Sequence, residues 1–134
     1  MLDKFKLLEV STDNISFFHN HQSGRSGTFT VNVGEITFDA GKRLKSDTES
    51  SLEVLEVTAS PRVYGTQAES EELSFELKIN MRMVYTYPAV ISLDEKKLQE
   101  SAWYFTSMMN AYFARHAEQI FQLTTVKGIK LKLN

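Results

Sequence analysis

The most regular pattern in the chain is a strict alternation of apolar and other residues over 73–87. Apolar side chains occupy every second position from Leu73 to Tyr87. Successive side chains of a strand point to opposite faces, so the alternation predicts one long strand with an apolar face and a polar face. Burial of a single face is typical of antiparallel sheets, and we therefore expect an antiparallel sheet.

Three further segments have shorter strand patterns. We expect strands over Thr28–Phe38 and Leu52–Tyr64, and an early strand over Phe5–Ser11 that is followed by a tight turn at Thr12–Asn14. The alternation slips at Val54–Leu55, which predicts a bulge in that strand. Together with the long strand, these segments predict a four-stranded sheet.

After Pro88 the spacing of apolar residues becomes that of a helix. Ser92 and Glu95 have the spacing of a capping box, which predicts that the helix begins there. The apolar residues from Leu98 to Ile120 share one stripe that should cover the apolar face of the sheet. A second line of apolar and small residues is left uncovered, and it predicts self-association of helix on helix. The residues of this line are Trp103, Ser107, Ala111, Ala114 and Phe121.

Composition and charge narrow the class of protein. The chain has 134 residues, of which 42% are hydrophobic and 24% charged, and we expect one soluble globular domain over 1–134. The net charge of -2 disfavours nucleic-acid binding, and the lack of cysteine excludes disulfides and cysteine-ligated zinc. No apolar run reaches the about 20 residues of a membrane span. The charges within Met1–Val10 do not fit a secretory signal, so we expect a cytoplasmic protein without membrane insertion.

Two clusters of titratable side chains could carry chemistry. His19 and His21 could share a metal ion on a strand, but no third ligand is evident and a loop is the favoured interpretation. Arg115 and His116 point about 100° apart on a helix, which opposes a catalytic role together with Glu118. No phosphate-binding glycine loop, nucleophile elbow or metalloprotease helix occurs. We therefore expect a protein that is not an enzyme and has no metal and no cofactor.

The aromatic and methionine content is high for one small core, with nine Phe, five Tyr and five Met. Pairs such as Phe17–Phe18 and Met108–Met109 place apolar side chains on both sides of their elements. Flexible methionines and broad aromatic rings suit surfaces that accept varied apolar partners. The same residues could instead fill an oligomer interface, and both alternatives remain open.

The order of elements resembles the SecB family of export chaperones over about Phe5–Leu133. Thr12–Phe17 is similar to the family's Ile-Ser-Phe segment, and the long strand ends in Val84–Tyr87. The helix carries Tyr112–Arg115, which is similar to the family's Tyr-Ala-Arg stretch. Leu131–Leu133 resembles the extended segment that follows that helix.

The resemblance implies an α+β subunit in which a four-stranded antiparallel sheet is covered on one face by a long C-terminal helix. It implies a homotetramer, a dimer of dimers with helices packed between sheet layers. It also implies an ATP-independent holdase that binds unfolded or preprotein clients in hydrophobic grooves and serves protein folding and transport. By position, the groove residues would be Phe17, Phe18, Tyr85, Tyr87, Tyr104, Met108, Leu131 and Leu133.

Several positions depart from the family pattern. Members that deliver clients to the SecA motor carry acidic residues where this chain has Asn14, Phe18 and Lys78. Glu76 compensates only in part, so these departures disfavour docking to SecA. SecB-like proteins without that role include chaperones of unstable antitoxins. The alternative function is therefore a dedicated module that binds one unstable partner protein.

Overall fold

The computed structural model describes residues 2–19, 27–43, 52–67 and 73–123. A single 3-10 turn at Leu2–Lys4 precedes six strands and one long helix. The strands are β1 (Lys6–His19), β2 (Gly27–Asn32), β3 (Thr37–Arg43), β4 (Leu52–Ala59), β5 (Arg62–Gln67) and β6 (Leu73–Pro88), and the helix is α1 (Glu95–Gln122). His21, Leu131 and Leu133 lie outside the described residues.

Strand β6 is the centre of the sheet, and each of its pairings is antiparallel. β1 runs along nearly its whole length, from Lys6 opposite Thr86 to His19 opposite Phe75. β4 pairs with the second half of β6 and β5 with the first half. A strand has two edges, so β4 and β5 share the edge that β1 leaves free. β3 extends the sheet beyond β4, and β2 extends it beyond β5.

The predicted antiparallel sheet is confirmed, but the described residues form six strands rather than four. The strand predicted over Leu52–Tyr64 is interrupted at Ser60–Pro61, because proline has no amide hydrogen for the ladder. The carbonyl of Pro61 accepts a hydrogen bond from the Ile79 amide at 3.1 Å. The strand predicted over Thr28–Phe38 is interrupted at 33–36, where Gly34 has a φ of 76° that favours glycine.

Two irregularities lie elsewhere than predicted. The turn expected at Thr12–Asn14 is a register shift within a continuous β1. The bulge expected at Val54–Leu55 is absent from the β4–β6 ladder, and the shift occurs instead in β3 between Asp39 and Lys42. Either strand of an antiparallel pair can absorb an extra residue, so a slipped pattern in one strand does not identify the strand that bulges.

The alternate residues of β6 that were predicted to be apolar and buried form the core of the sheet. The first of them, Leu73, is half-buried. The others are buried, namely Phe75, Leu77, Ile79, Met81, Met83, Tyr85 and Tyr87. Helix α1 covers the face that these residues form, here called the helix-side face. Phe105 packs against Tyr85, with ring centroids 5.1 Å apart, and Phe121 packs against Phe75, with centroids 5.5 Å apart. The opposite face, here called the outer face, carries charged residues such as Arg82, which pairs with Glu56.

Helix α1 begins at Glu95, and its N-cap is Asp94 rather than Ser92. The Asp94 carboxylate accepts a hydrogen bond from the Lys97 amide at 2.8 Å. Ser92 contributes only its carbonyl oxygen, which accepts from Lys97 Nζ at 2.9 Å. The predicted capping box was therefore wrong, because an aspartate two residues later supplies the cap.

The buried positions of α1 recur at intervals of four residues. They are Ser101, Phe105, Met109, Phe113, Ala117 and Phe121. Ala114 is also buried, although it does not belong to this series. Each interval of four rotates the buried face by about 40°. The buried face therefore turns around the helix from one end to the other as α1 crosses the sheet. No helix in the described ranges is long and apolar enough to cross a membrane.

Candidate binding groove

A groove of about 530 Å³ lies between α1 and strand β2. Among the described strands, β2 pairs only with β5, so its other edge is unpaired. The helix supplies one wall, and β2 with the turn that follows supplies the other. The lining residues are Phe29, Val31, Asn32, Val33, Gly34, Thr106, Ser107 and Asn110. This volume lies within the range of about 300–1,000 Å³ that is typical of ligand pockets.

The exposure of Phe29 follows from a glycine in the neighbouring strand. Phe29 lies opposite Gly65, and Gly65 lies near Phe75 on β6. The Phe75 ring covers Gly65 so closely that a Cβ there would lie 2.9 Å from Phe75 Cδ1. Gly65 gives Phe29 no side chain to pack against, and Phe29 is 45% exposed. An aromatic ring is therefore available in the groove.

The helix wall of the groove is polar but uncharged. Ser107 Oγ donates to the Trp103 carbonyl at 2.8 Å. Asn110 Oδ1 is buried and has no hydrogen-bond partner in the part of the chain that the structure describes. An unsatisfied buried acceptor costs about 1–3 kcal/mol. Trp103 lies one turn before Ser107 and is 65% exposed.

None of the described residues that line the groove is charged. A charged side chain that entered would lose its water without gaining an ionic partner, whereas an apolar or hydrogen-bonding group would not. The groove can therefore accept apolar or hydrogen-bonding groups. Sequence reasoning missed Phe29, Thr106 and Asn110, because nothing in the local pattern separates them from ordinary strand and helix positions.

Phe17 and Phe18, both predicted client-binding residues, point to opposite faces of the sheet. Phe17 lies opposite Leu77 on the helix-side face, and its ring is 6.3 Å from that of Phe121. Phe18 lies opposite Glu76 on the outer face and is 51% exposed. Both are on β1 and lie outside the lining of the groove beside β2.

Tyr85 and Tyr87 are buried in the core of the chain. Burial raises the pKa of Tyr85 above its usual range. The Tyr87 hydroxyl donates to Glu53 Oε2 at 2.8 Å and accepts from the Gly41 amide at 3.1 Å. Burial, followed by the Glu53 hydrogen bond, raises the pKa of Tyr87 to about 12. Neither side chain is accessible to a client in this structure.

The other predicted client-binding residues on α1 lie away from the groove. Tyr104 and Met108 are half-buried and one helical turn apart. Tyr104 is about 120° around the helix from Asn110. Its ring packs edge-on against those of Trp103 and Phe105, at 6.0 and 5.2 Å.

The five predicted interface residues divide into two groups. Trp103 and Ser107 are exposed and Ala111 is half-buried. Ala114 and Phe121 are buried within the chain's own core. The division follows from the rotation of the buried face along α1, which reaches Ala114 and Phe121 only at the C-terminal end of the helix.

The described residues of the two titratable clusters form no recognisable centre. No group of three His, Asp or Glu side chains in the described ranges could hold a metal ion. His19 packs near Phe17, with ring centroids 6.4 Å apart. The Arg115 guanidinium lies 5.8 Å from the centre of the Tyr112 ring. His116 is half-buried, and its Nδ1 is buried without a hydrogen-bond partner among the described residues.

Solved structures with a similar fold include the following two. One is a SecB-like chaperone of Mycobacterium tuberculosis in complex with a peptide from the HigA1 antitoxin, with a TM-score of 0.66 and 9% identity, covering 99% of this chain and 92% of that one. The other is a protein of unknown function from Streptococcus agalactiae, with a TM-score of 0.58 and 10% identity, covering 96% of each chain. No protein-family profile and no curated protein sequence matches. The chain therefore has the fold of a SecB-like chaperone.

Proposed function

We propose that this protein is a cytoplasmic SecB-like chaperone that binds non-native polypeptide in the groove between α1 and β2. The observation that carries the proposal is the uncharged groove itself, which combines the exposed Phe29 ring with an unpaired strand edge. The fold supports it, because a chaperone of the same fold has been solved with a bound peptide. The proposed binding requires no chemistry on the client, no nucleotide and no cofactor, and we propose that the protein is not an enzyme.

Apolar burial suits a holdase because it does not depend on a particular client sequence. Each Å² of apolar surface removed from water contributes about 25 cal/mol. Phe29 and Val31 offer such surface in the groove, and Phe17, Tyr104 and Met108 offer more on other parts of the chain. Contacts spread over several such residues allow diverse segments to bind with moderate affinity.

We further propose a homo-oligomer, a dimer of dimers, in which other copies cover Trp103. The exposed indole supports this assembly, since a large exposed apolar side chain gains most from burial. Docking to a SecA-type motor is not part of the proposal. Lys78 is exposed on the outer face, and the Glu76 carboxylate is engaged by Arg62 Nη2 at 2.9 Å. This arrangement does not favour an acidic docking patch there.

Suppression of aggregation tests the proposal. A chemically unfolded protein is diluted into buffer with or without the chaperone, without nucleotide, and light scattering is followed. The wild type should suppress scattering at about one oligomer per client. Phe29→Glu should abolish suppression because it places a charge in the uncharged groove, whereas Gln119→Glu adds the same charge at an exposed helix position outside the groove and should retain it. Loss of suppression in Phe18→Glu alone would place the client on β1 instead.

A dedicated partner is the second candidate, because the structural neighbour carries a peptide from one antitoxin. A dedicated module would give no general suppression of aggregation, although it is well folded and oligomeric. It would instead bind a single unstable protein tightly and saturably. The scattering assay with two unrelated clients therefore separates the two candidates.

A further inference from the structure

We infer that the outer face of the sheet binds a partner polypeptide through a segment that carries a carboxylate close to an apolar side chain. The surface that binds it, here called the outer patch, extends over β1, β6 and β5 and is formed by Phe18, Lys78, Arg62 and Tyr64. The outer patch and the groove beside α1 lie on opposite faces of the sheet. The inference therefore goes beyond the proposed function and does not depend on it.

The register of the three strands brings the side chains of the outer patch together. Phe18 of β1 and Tyr64 of β5 both lie opposite Glu76 of β6, one on each side of it. Arg62 lies opposite Lys78, two residues further along β6. Side chains that are directly opposite on adjacent strands share a face and have Cβ atoms about 4.5–5.5 Å apart. A row with two aromatic rings therefore lies next to a row with two cations.

The two cations of the outer patch have only one counter-charge between them. Like charges that are directly opposite on adjacent strands destabilise a sheet, and Arg62 and Lys78 are such a pair. The Glu76 carboxylate pairs with Arg62 Nη2 at 2.9 Å, and the Arg62 guanidinium also lies 4.2 Å from the centre of the Tyr64 ring. Lys78 is exposed and forms no ion pair within the described ranges. A second carboxylate placed beside Lys78 would offset the remaining repulsion, so the patch is complementary to a negative group.

The exposed ring of Phe18 gives the outer patch an apolar contact beside this charge. Phe18 is 51% exposed, and burial of its surface by a partner would stabilise the complex. Phe18 and Lys78 are diagonal neighbours on adjacent strands, and such neighbours are about 7–8 Å apart. In an extended segment, residues two positions apart are separated by about 7 Å and point to the same side. The fitting segment therefore has its carboxylate and its apolar residue two positions apart.

The charges elsewhere on the outer face confine an acidic segment to the outer patch. Further along β6, the Arg82 guanidinium pairs with Glu56, and Glu9 Oε2 lies 3.6 Å from its Nη1. Two carboxylates there share one guanidinium, so an acidic segment would be repelled. Complementary charge determines where a partner docks more than how tightly it binds. The distribution of charge over this face therefore favours docking of an acidic segment at Lys78 and not near Arg82.

Fluorescence anisotropy with short labelled peptides tests the inference. One peptide has glutamate and leucine two positions apart, and matched peptides have glutamine or lysine in place of the glutamate. The glutamate peptide should bind best, and its affinity should fall as salt is added because the charges are exposed. Lys78→Glu should weaken its binding by about three- to tenfold and should favour the lysine peptide instead. Phe18→Ser should weaken binding of the glutamate and glutamine peptides alike, since it removes the apolar contact.

Lys6→Glu is the matched control, because it reverses the same charge at the other end of β1 on the outer face and should leave binding unchanged. Equal binding of the glutamate and glutamine peptides, or unchanged binding in Lys78→Glu, would overturn the inference. Loss of binding in Phe29→Glu would place the peptide in the groove and overturn it as well. A lower oligomer mass for Phe18→Ser, measured by light scattering, would assign the face to a second copy instead. Failure to suppress aggregation would overturn the chaperone proposal and leave this inference standing.

Discussion

The Phe75 ring occupies the space that a side chain at Gly65 would need. A Cβ built on Gly65 would clash with Cε1 of Phe75 and lie 3.1 Å from its Cζ. The same ring packs edge-on against Phe121 of the helix, with centroids 5.5 Å apart. This contact joins the end of α1 to the sheet. Gly65 also lies opposite Phe29 of β2 and gives that ring no side chain to pack against. One glycine therefore contributes to both the core and the groove.

Gly65→Ala should destabilise the fold by about 1–3 kcal/mol, because the added methyl group must displace a buried ring. Denaturant unfolding measures the loss. In a Phe75→Leu background the same substitution should cost less, because the clashing ring atoms are gone. Equal costs in both backgrounds would contradict the predicted clash.

Stability should fall as the pH rises from about 10 to 12, in part through Tyr87. The pKa of Tyr87 is raised to about 12 in the fold, whereas an unfolded tyrosine titrates near about 10. The fold therefore holds this proton more strongly, and the stabilisation is complete below pH about 10 and lost as the pH rises through the folded pKa. Tyr85, whose pKa is also raised, acts in the same direction.

Tyr87→Phe isolates this contribution to the pH dependence. Denaturant unfolding of the variant should show a shallower loss of stability above pH about 10 than the wild type. Below that pH, the two proteins should differ by a constant amount that reflects the lost hydrogen bonds to Glu53 and Gly41. Parallel curves over the whole range would show that Tyr87 does not govern this loss.

Trp103→Asp should dissociate the oligomer into smaller species. The side chain is 65% exposed in the single chain, so its replacement should hardly change the stability of the subunit. Size-exclusion chromatography with light scattering measures the mass, and Gln119→Asp on the same helix is the control. An unchanged mass for Trp103→Asp would place the interface elsewhere.

Asp94→Ala should cost about 1 kcal/mol of stability, because the Lys97 amide loses its capping partner. Ser92→Ala should cost little, since only the Ser92 carbonyl contacts the helix. Thermal or denaturant unfolding of the two variants compares the two caps. A larger loss in Ser92→Ala would instead support the serine cap that the sequence spacing suggested.

Several features of this protein were determined by local sequence alone. The alternation over 73–87 predicted a long strand with one buried face, and the change of period after Pro88 predicted a long helix. The antiparallel arrangement followed from one-sided burial. These predictions succeeded because the period of a strand or helix is a property of neighbouring residues and does not depend on what packs against them.

Tertiary structure decided which residues are accessible. Tyr85 and Tyr87 carry the aromatic character of a binding surface, but the helix and neighbouring strands bury them. Phe29 has the same alternation as the half-buried Val31 and Val33 and is exposed because Gly65 lies beside it. Phe121 shares a helical line with Trp103, yet one is in the core and the other is exposed, since the buried face of α1 rotates along its length. Exposure depends on the partner that covers each face, and that partner is distant in sequence.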